Sequence, residues 1–125
     1  MNNRALVLFG HGARDARWAE PFLRLQKIVQ SRLSDVTVSL AYLELMTPQL
    51  PTLVQELEDE GYTEVTVVPV FFGQGGHVLR DLPPMVDQLR REHPEMTIKV
   101  AEAVGEDEDV LNAVATYCID SLARQ

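Results

Sequence analysis

"VTVVPVFFGQGGHVLRDLPPMV", residues 65–86, decides the fold. Val65 to Phe71 is apolar almost throughout, as expected of a strand covered on both faces. Three glycines then fall within positions 73–76, His77 follows, and Leu79, Leu82, Met85, Val86 and Leu89 recur with helical period until His93-Pro94 stops the pattern. A buried strand that turns through glycine into an amphipathic helix is one unit of a parallel sheet.

The same unit recurs on both sides of this stretch. Ala5–Phe9 closes in Gly10-His11-Gly12 and leads to a helical segment reaching about Leu33, with Phe22, Leu25, Ile28, Val29 and Leu33 on one stripe. Either Asp15 caps that segment or Pro21 occupies its first turn. Val36–Tyr42 leads through Leu43-Glu44 to Thr47-Pro48 and a helix bearing Leu50, Leu53, Val54 and Leu57, with Gly61 as a left-handed cap. Thr97–Val104 leads past Gly105 to a last helix bearing Val110, Leu111, Val114, Cys118 and Leu122. The string is βαβαβαβα. It predicts a three-layer α/β/α fold, with a four-stranded parallel sheet, right-handed crossovers and the flavodoxin-like strand order 2-1-3-4. No linker or repeat divides residues 1–125, so one domain is expected.

Composition narrows the function. Hydrophobic residues make up 46% and charged residues 24% of 125, the balance of a soluble globular chain. A formal charge of −8 argues against nucleic acid or an anionic membrane surface as partner. No run approaches a membrane span, and Ala5–Phe9 is too short for a signal-peptide core, so a cytoplasmic location is expected. The lone Cys118 falls among apolar helical positions and reads as a small buried hydrophobe. His93, beside Pro94 at the end of a charged helix, reads as a surface residue. The acidic run Glu106–Asp109 reads as a helix N-terminus favoured by the helix dipole rather than a metal-collecting patch.

Ligands of open parallel sheets bind outside the carboxyl ends of the strands. His11 lies just past the first strand, Glu44 past the second and His77 past the third, so three residues distant in sequence emerge at one edge. Each alone has a plain structural reading: a loop histidine bonded to a carbonyl, a solvated carboxylate, a histidine on a turn. Their coincidence favours chemistry. Two imidazoles and a carboxylate suit a borderline divalent metal such as cobalt, nickel, iron or zinc better than calcium or magnesium. A neutral imidazole also accepts protons near neutrality, so metal handling and proton abstraction are both open. The glycines beside both histidines (Gly10, Gly12, Gly73, Gly75, Gly76) would let a bulky or flat ligand approach the backbone.

The stretches "LVLFGHGARD", "AYLELMTP" and "VVPVFFGQGGHVLRDLP" resemble the short CbiX/SirB-type sirohydrochlorin chelatases of the class II chelatase superfamily. With the fourfold strand-helix rhythm, the resemblance spans nearly the whole chain. It implies ATP-independent insertion of a divalent metal into sirohydrochlorin, toward cobalamin or siroheme. Co2+ leads among the metals, with Fe2+ or Ni2+ as alternatives. The family's metal-site histidines map onto His11 and His77, and its active-site carboxylate onto Glu44. No GxxxxGK[ST] motif is present, in accord with a reaction without ATP. Sirohydrochlorin is a polycarboxylate, so Arg14, Arg17 and Arg80 beside the histidine loops are its candidate partners, together with the backbone at Gly10, Gly12, Gly75 and Gly76. Ala13 stands where the family commonly has serine. One four-stranded unit offers a single wall to so large a macrocycle, which implies a homodimer.

Rival readings fail on specific residues. Histidine phosphatases need an arginine where Gly10 stands, α/β-hydrolases need a G-x-S-x-G elbow that is missing, and Val78 occupies the last glycine position of a dinucleotide fingerprint. A non-catalytic carrier of divalent metal or tetrapyrrole remains the alternative, distinguished by the lack of turnover.

Overall fold

Four parallel strands align in the order β2-β1-β3-β4, as expected: β1 (Arg4–Gly10), β2 (Val36–Tyr42), β3 (Glu64–Pro69) and β4 (Thr97–Val100). The computed structural model describes residues 3–72 and 76–124, excepting the side chains of 76–79. Helices α1 (Glu20–Ser31), α2 (Leu50–Asp59), α3 (Gly76–Glu92) and α4 (Glu108–Ala123) follow the strands in turn.

Strand register sorts the core. Val7 pairs with Val67 and Val67 with Val100, so Ala5, Val7, Phe9, Val65, Val67 and Ile98 share one face. On it α2 buries Leu50, Leu53, Val54 and Leu57, and α3 buries Leu82, Val86 and Leu89. The other face, with Leu6, Leu8, Gly10, Val38 and Tyr42, carries α1. That helix lies over the edge strand β2, so its stripe is only partly covered: Phe22, Leu25 and Val29 are half-buried, while Ile28 stays 49% exposed. Two glutamines of α1 serve the edge strand instead. Gln30 donates to the Val36 carbonyl and accepts from the Val38 amide, and Gln26 donates to the Val38 carbonyl. Side chains thus satisfy outer backbone groups that an edge strand leaves open.

Both suggested starts of the first helical segment hold. Asp15 caps a 3₁₀ turn over Ala16–Ala19, and Pro21 sits in the first turn of α1. Gly61, at φ +94, closes α2 with the paired bonds of a Schellman turn, Gly61 amide to Glu58 carbonyl and Tyr62 amide to Leu57 carbonyl. Helix α3 begins at Gly76, so His77 belongs to its first turn rather than to a loop. Pro83 and Pro84 lie inside α3 and cannot donate to the carbonyls of Leu79 and Arg80. In its last turn the Arg90 guanidinium donates twice to the Ile98 carbonyl (3.0 and 2.7 Å), tying α3 to β4.

Two sequence expectations are corrected. His93 is 4% exposed, not a surface residue: the turn after α3 folds it under α2, with Nδ1 3.0 Å from Oε1 of Glu58 but without hydrogen-bond alignment. His93→Ala is expected to cost about 1–3 kcal/mol by urea denaturation, through the lost ring packing and the lost contact with Glu58. Cys118 is exposed rather than buried, because α4 does not lie on the sheet and none of its residues is buried. The acidic run does start α4 as expected, with Asp107 accepting from the Val110 amide at 3.1 Å. Among the described residues no helix is long and apolar enough to cross a membrane.

Candidate active site

Parallel pairing of β1 with β2 continues past both strands and builds the site. Gly10 is the last registered partner of Tyr42. Beyond it the Leu43 amide donates to the Gly10 carbonyl (2.9 Å) and the Glu44 amide to the His11 carbonyl (3.1 Å). Two loops that local sequence would leave independent are zipped side by side at the carboxyl edge. The zip needs glycine at position 12. Gly12 has φ +100, and a Cβ there would collide with the Glu44 carbonyl oxygen.

As a result, His11 Nε2 stands 3.4 Å from Glu44 Oε1, with both side chains about two-fifths exposed. The pair is open to a ligand while held by backbone bonds on each side. An imidazole beside a carboxylate can bind a divalent metal or take a proton, and the carboxylate can orient the ring or receive the proton onward. Among the described residues no group of three metal-ligating side chains forms. The third expected member, His77, has its side chain outside the described residues, as does Gly75 entirely; Gly76 opens α3.

At the two described glycines of the first loop, the space a Cβ would take is occupied by the protein itself. A Cβ on Gly10 would meet Trp18 at 3.1 Å and Phe22 at 3.3 Å, so the chain's own aromatic side chains fill that place. Trp18 stacks near Phe22 and Tyr42 (centroids 4.7 and 6.2 Å), flooring the β1 loop from the α1 side. Burial pushes the Tyr42 phenol above its ordinary pKa.

The candidate arginines differ. The Arg17 guanidinium is held by Asp15, through Nη2 at 2.7 Å and Nε at 3.2 Å to both oxygens. That pairing, with the Arg17 amide also donating to it, holds the Asp15 carboxyl below the usual aspartate range. Arg14 and Arg80 are exposed.

Two apolar residues at this edge escaped the sequence reading. Leu45, next to Glu44, adopts φ 68 and is 56% exposed; Phe72, at the end of the β3 run, is 57% exposed. A left-handed leucine stores about 1–2 kcal/mol of strain, and nothing in its local sequence announces it. Gly105 packs on the Phe72 backbone so closely that a Cβ would collide with the Phe72 carbonyl, which fixes where Phe72 stands.

Comparison with known proteins agrees with this architecture. The family described as CbiX matches residues 5–120. A sirohydrochlorin cobaltochelatase of Methanocaldococcus jannaschii is 33% identical over 71% of this chain and 62% of its own length. A sirohydrochlorin ferrochelatase of Bacillus subtilis is 24% identical over 89% of this chain and 42% of its own. The chain thus spans less than two thirds of either curated relative. Among solved structures, a CbiX protein of cobalamin (vitamin B12) biosynthesis from Marinobacter aquaeolei VT8 superposes with a TM-score of 0.85 at 33% identity, over 98% of this chain and 99% of that one. By its family match and by this fold, the chain belongs to the CbiX family.

Proposed function

We propose that this chain inserts a divalent metal, Co2+ or Fe2+, into sirohydrochlorin without ATP. The observation that carries the reading is the backbone-coupled His11–Glu44 pair at the carboxyl edge of a CbiX-family sheet. The named activities of the relatives, a cobaltochelatase and a ferrochelatase, supply the substrate class and leave both metals open; Ni2+ is a further candidate of the same ligand class.

Metal entry displaces two pyrrole N–H protons while the metal ion exchanges its water for ring nitrogens. His11 is placed to hold the incoming metal or to take a pyrrole proton, with Glu44 within reach to orient the ring or pass the proton to solvent. His77 is proposed as the second imidazole of the site. Arg14, Arg17 and Arg80 meet the substrate carboxylates, Arg17 by exchanging its solvent-exposed pairing with Asp15. Exposed Leu45 and Phe72 offer apolar surface to the macrocycle plane. Residues 1–125 act as one CbiX unit in the cytoplasm, and a second copy supplies the opposite wall of the cleft. The product serves cobalamin or siroheme synthesis.

The test is an anaerobic absorbance time course with sirohydrochlorin and Co2+, Fe2+ or Ni2+ in turn. Multiple turnovers above the spontaneous rate are expected. Stoichiometric binding that stops after one equivalent identifies a carrier, and no response to either ligand rejects the reading. In the same assay, Leu45→Gly is expected to raise KM severalfold with kcat little changed. Its thermal midpoint should hold or rise, because glycine accepts positive φ without strain.

A further inference from the structure

The zipper between the β1 and β2 loops fixes His11 against Glu44 in one direction. Its bonds, Leu43 amide to Gly10 carbonyl and Glu44 amide to His11 carbonyl, run across the sheet and hold the loops side by side. They do little to oppose displacement along the sheet normal. Registered pairing with β3 adds nothing at this point, since it ends one residue earlier, at Phe9–Pro69. The height of Gly10 has to be set from a face of the sheet.

Trp18 occupies that place. Cη2, at the tip of its six-membered ring, would stand 3.1 Å from a Cβ on Gly10, with the Phe22 ring next at 3.3 Å. Phe22 and the buried Tyr42 flank the indole, with ring centroids 4.7 and 6.2 Å away. Tyr42 is itself the registered partner of Gly10. The short 3₁₀ turn over Ala16–Ala19 that aims the indole is tied down along its length. The Asp15 carboxylate accepts from the Arg17 amide (2.9 Å), the Trp18 amide donates to the Asp15 carbonyl (3.0 Å), and Ala19 is buried. The turn thereby delivers a rigid aromatic side chain onto the glycine that adjoins His11.

We propose that Trp18 is a positioning residue of the metallation site: pressed on Gly10, it sets the height of the His11 backbone and with it the 3.4 Å approach of His11 Nε2 to Glu44 Oε1. The inference rests on the chelatase reading and adds to it a residue that acts through another rather than on metal or macrocycle. Misplacing a reacting group by about 1 Å can cost about 10²-fold in rate, so a contact that fixes this backbone has a measurable share in catalysis. The contact can also be tuned from both sides. Gly10 does not have positive φ, so alanine suits its backbone and the obstacle to a Cβ there is steric. Phenylalanine at position 18 lacks the ring tip that carries Cη2. Gly10→Ala therefore overfills the contact, Trp18→Phe empties it, and the two together refill it.

The experiment compares wild type, Gly10→Ala, Trp18→Phe and the double variant by two readouts. Co2+ alone is titrated through its visible ligand-field absorption, and metallation of sirohydrochlorin is followed by absorbance. Each single variant is expected to bind Co2+ about 10–100-fold more weakly, as when a residue that orients a metal ligand is lost. Its kcat should fall by a similar factor, with KM for sirohydrochlorin within about twofold of wild type. The double variant is expected at least about tenfold above Gly10→Ala in both readouts. Trp18→Phe keeps an aromatic ring against Phe22, so it folds even where Gly10→Ala does not, and its own Co2+ affinity and kcat then decide. Losses that multiply in the double variant would overturn the positioning role. So would a raised KM with kcat intact, which would make Trp18 a macrocycle contact. A wild type that binds Co2+ without turnover fails the chelatase reading alone, and the Co2+ affinities of the variants still read the role of Trp18. Absence of both Co2+ binding and turnover in the wild type would sink the site and that role with it.

Discussion

Glu44→Gln is expected to lower kcat/KM for metallation by about 10²–10⁴-fold, the range over which positioned acid–base groups act. His11→Ala should do the same. Both substitutions leave the zipper intact, because the loops are joined through the backbone of His11 and Glu44 rather than through their side chains. Thermal midpoints should therefore stay close to wild type while activity falls. The double substitution is the sharper measurement. Side chains 3.4 Å apart that act as one unit lose that function once, so the double variant should be little worse than the worse single one. Multiplicative losses would mean that His11 and Glu44 act on different steps. Unaltered turnover in either single variant would remove that residue from the site.

Gly12→Ala carries the largest expected loss of stability, about 3–5 kcal/mol in urea titration. Two effects combine. A φ of +100 strains any residue with a Cβ, and that Cβ would collide with the Glu44 carbonyl. Relief requires the two loops to part, which breaks the Glu44 amide to His11 carbonyl bond and separates the His11–Glu44 pair. Activity should consequently fall further than in proportion to the folded fraction. Gly61→Ala is the control. That glycine also has positive φ, but a Cβ there meets nothing within 4 Å, so only the conformational cost of about 1–2 kcal/mol is expected, with no effect on turnover. Equal losses at the two glycines would show that the zipper does not depend on close approach at position 12.

These contrasts separate what was readable along the chain from what was not. The first three strand runs, the α2 and α3 stripes, the Gly61 cap and the acidic start of α4 obey rules that act within a few residues and match the structure, whereas the fourth strand stops at Val100 rather than Val104. Alternation and the handedness of crossovers narrow the sheet to a few doubly wound orders, of which the flavodoxin-like one chosen is the order found. The carboxyl-edge rule then located His11 and Glu44 without any contact being known.

Contacts across the chain were not readable. Gly10 and Gly12 announce a backbone that something approaches closely, but local sequence cannot say what fills the space of the missing Cβ; here Trp18, Phe22 and Glu44 do. His93 borders a charged run and looks solvated until the turn after α3 brings Glu58 to 3.0 Å. Cys118 sits in an apolar helix, and periodicity implies burial without specifying by what.

The sequence by itself determined the element order, the parallel sheet and the edge at which His11 and Glu44 lie, because periodicity, turn residues and crossover handedness are properties of short stretches. Only the tertiary structure decided that His11 faces Glu44, that Arg17 is bound by Asp15, and that α4 stands off its own sheet. Those outcomes depend on the register between β1 and β2 and on the bonded segment between β4 and α4, which no short stretch encodes.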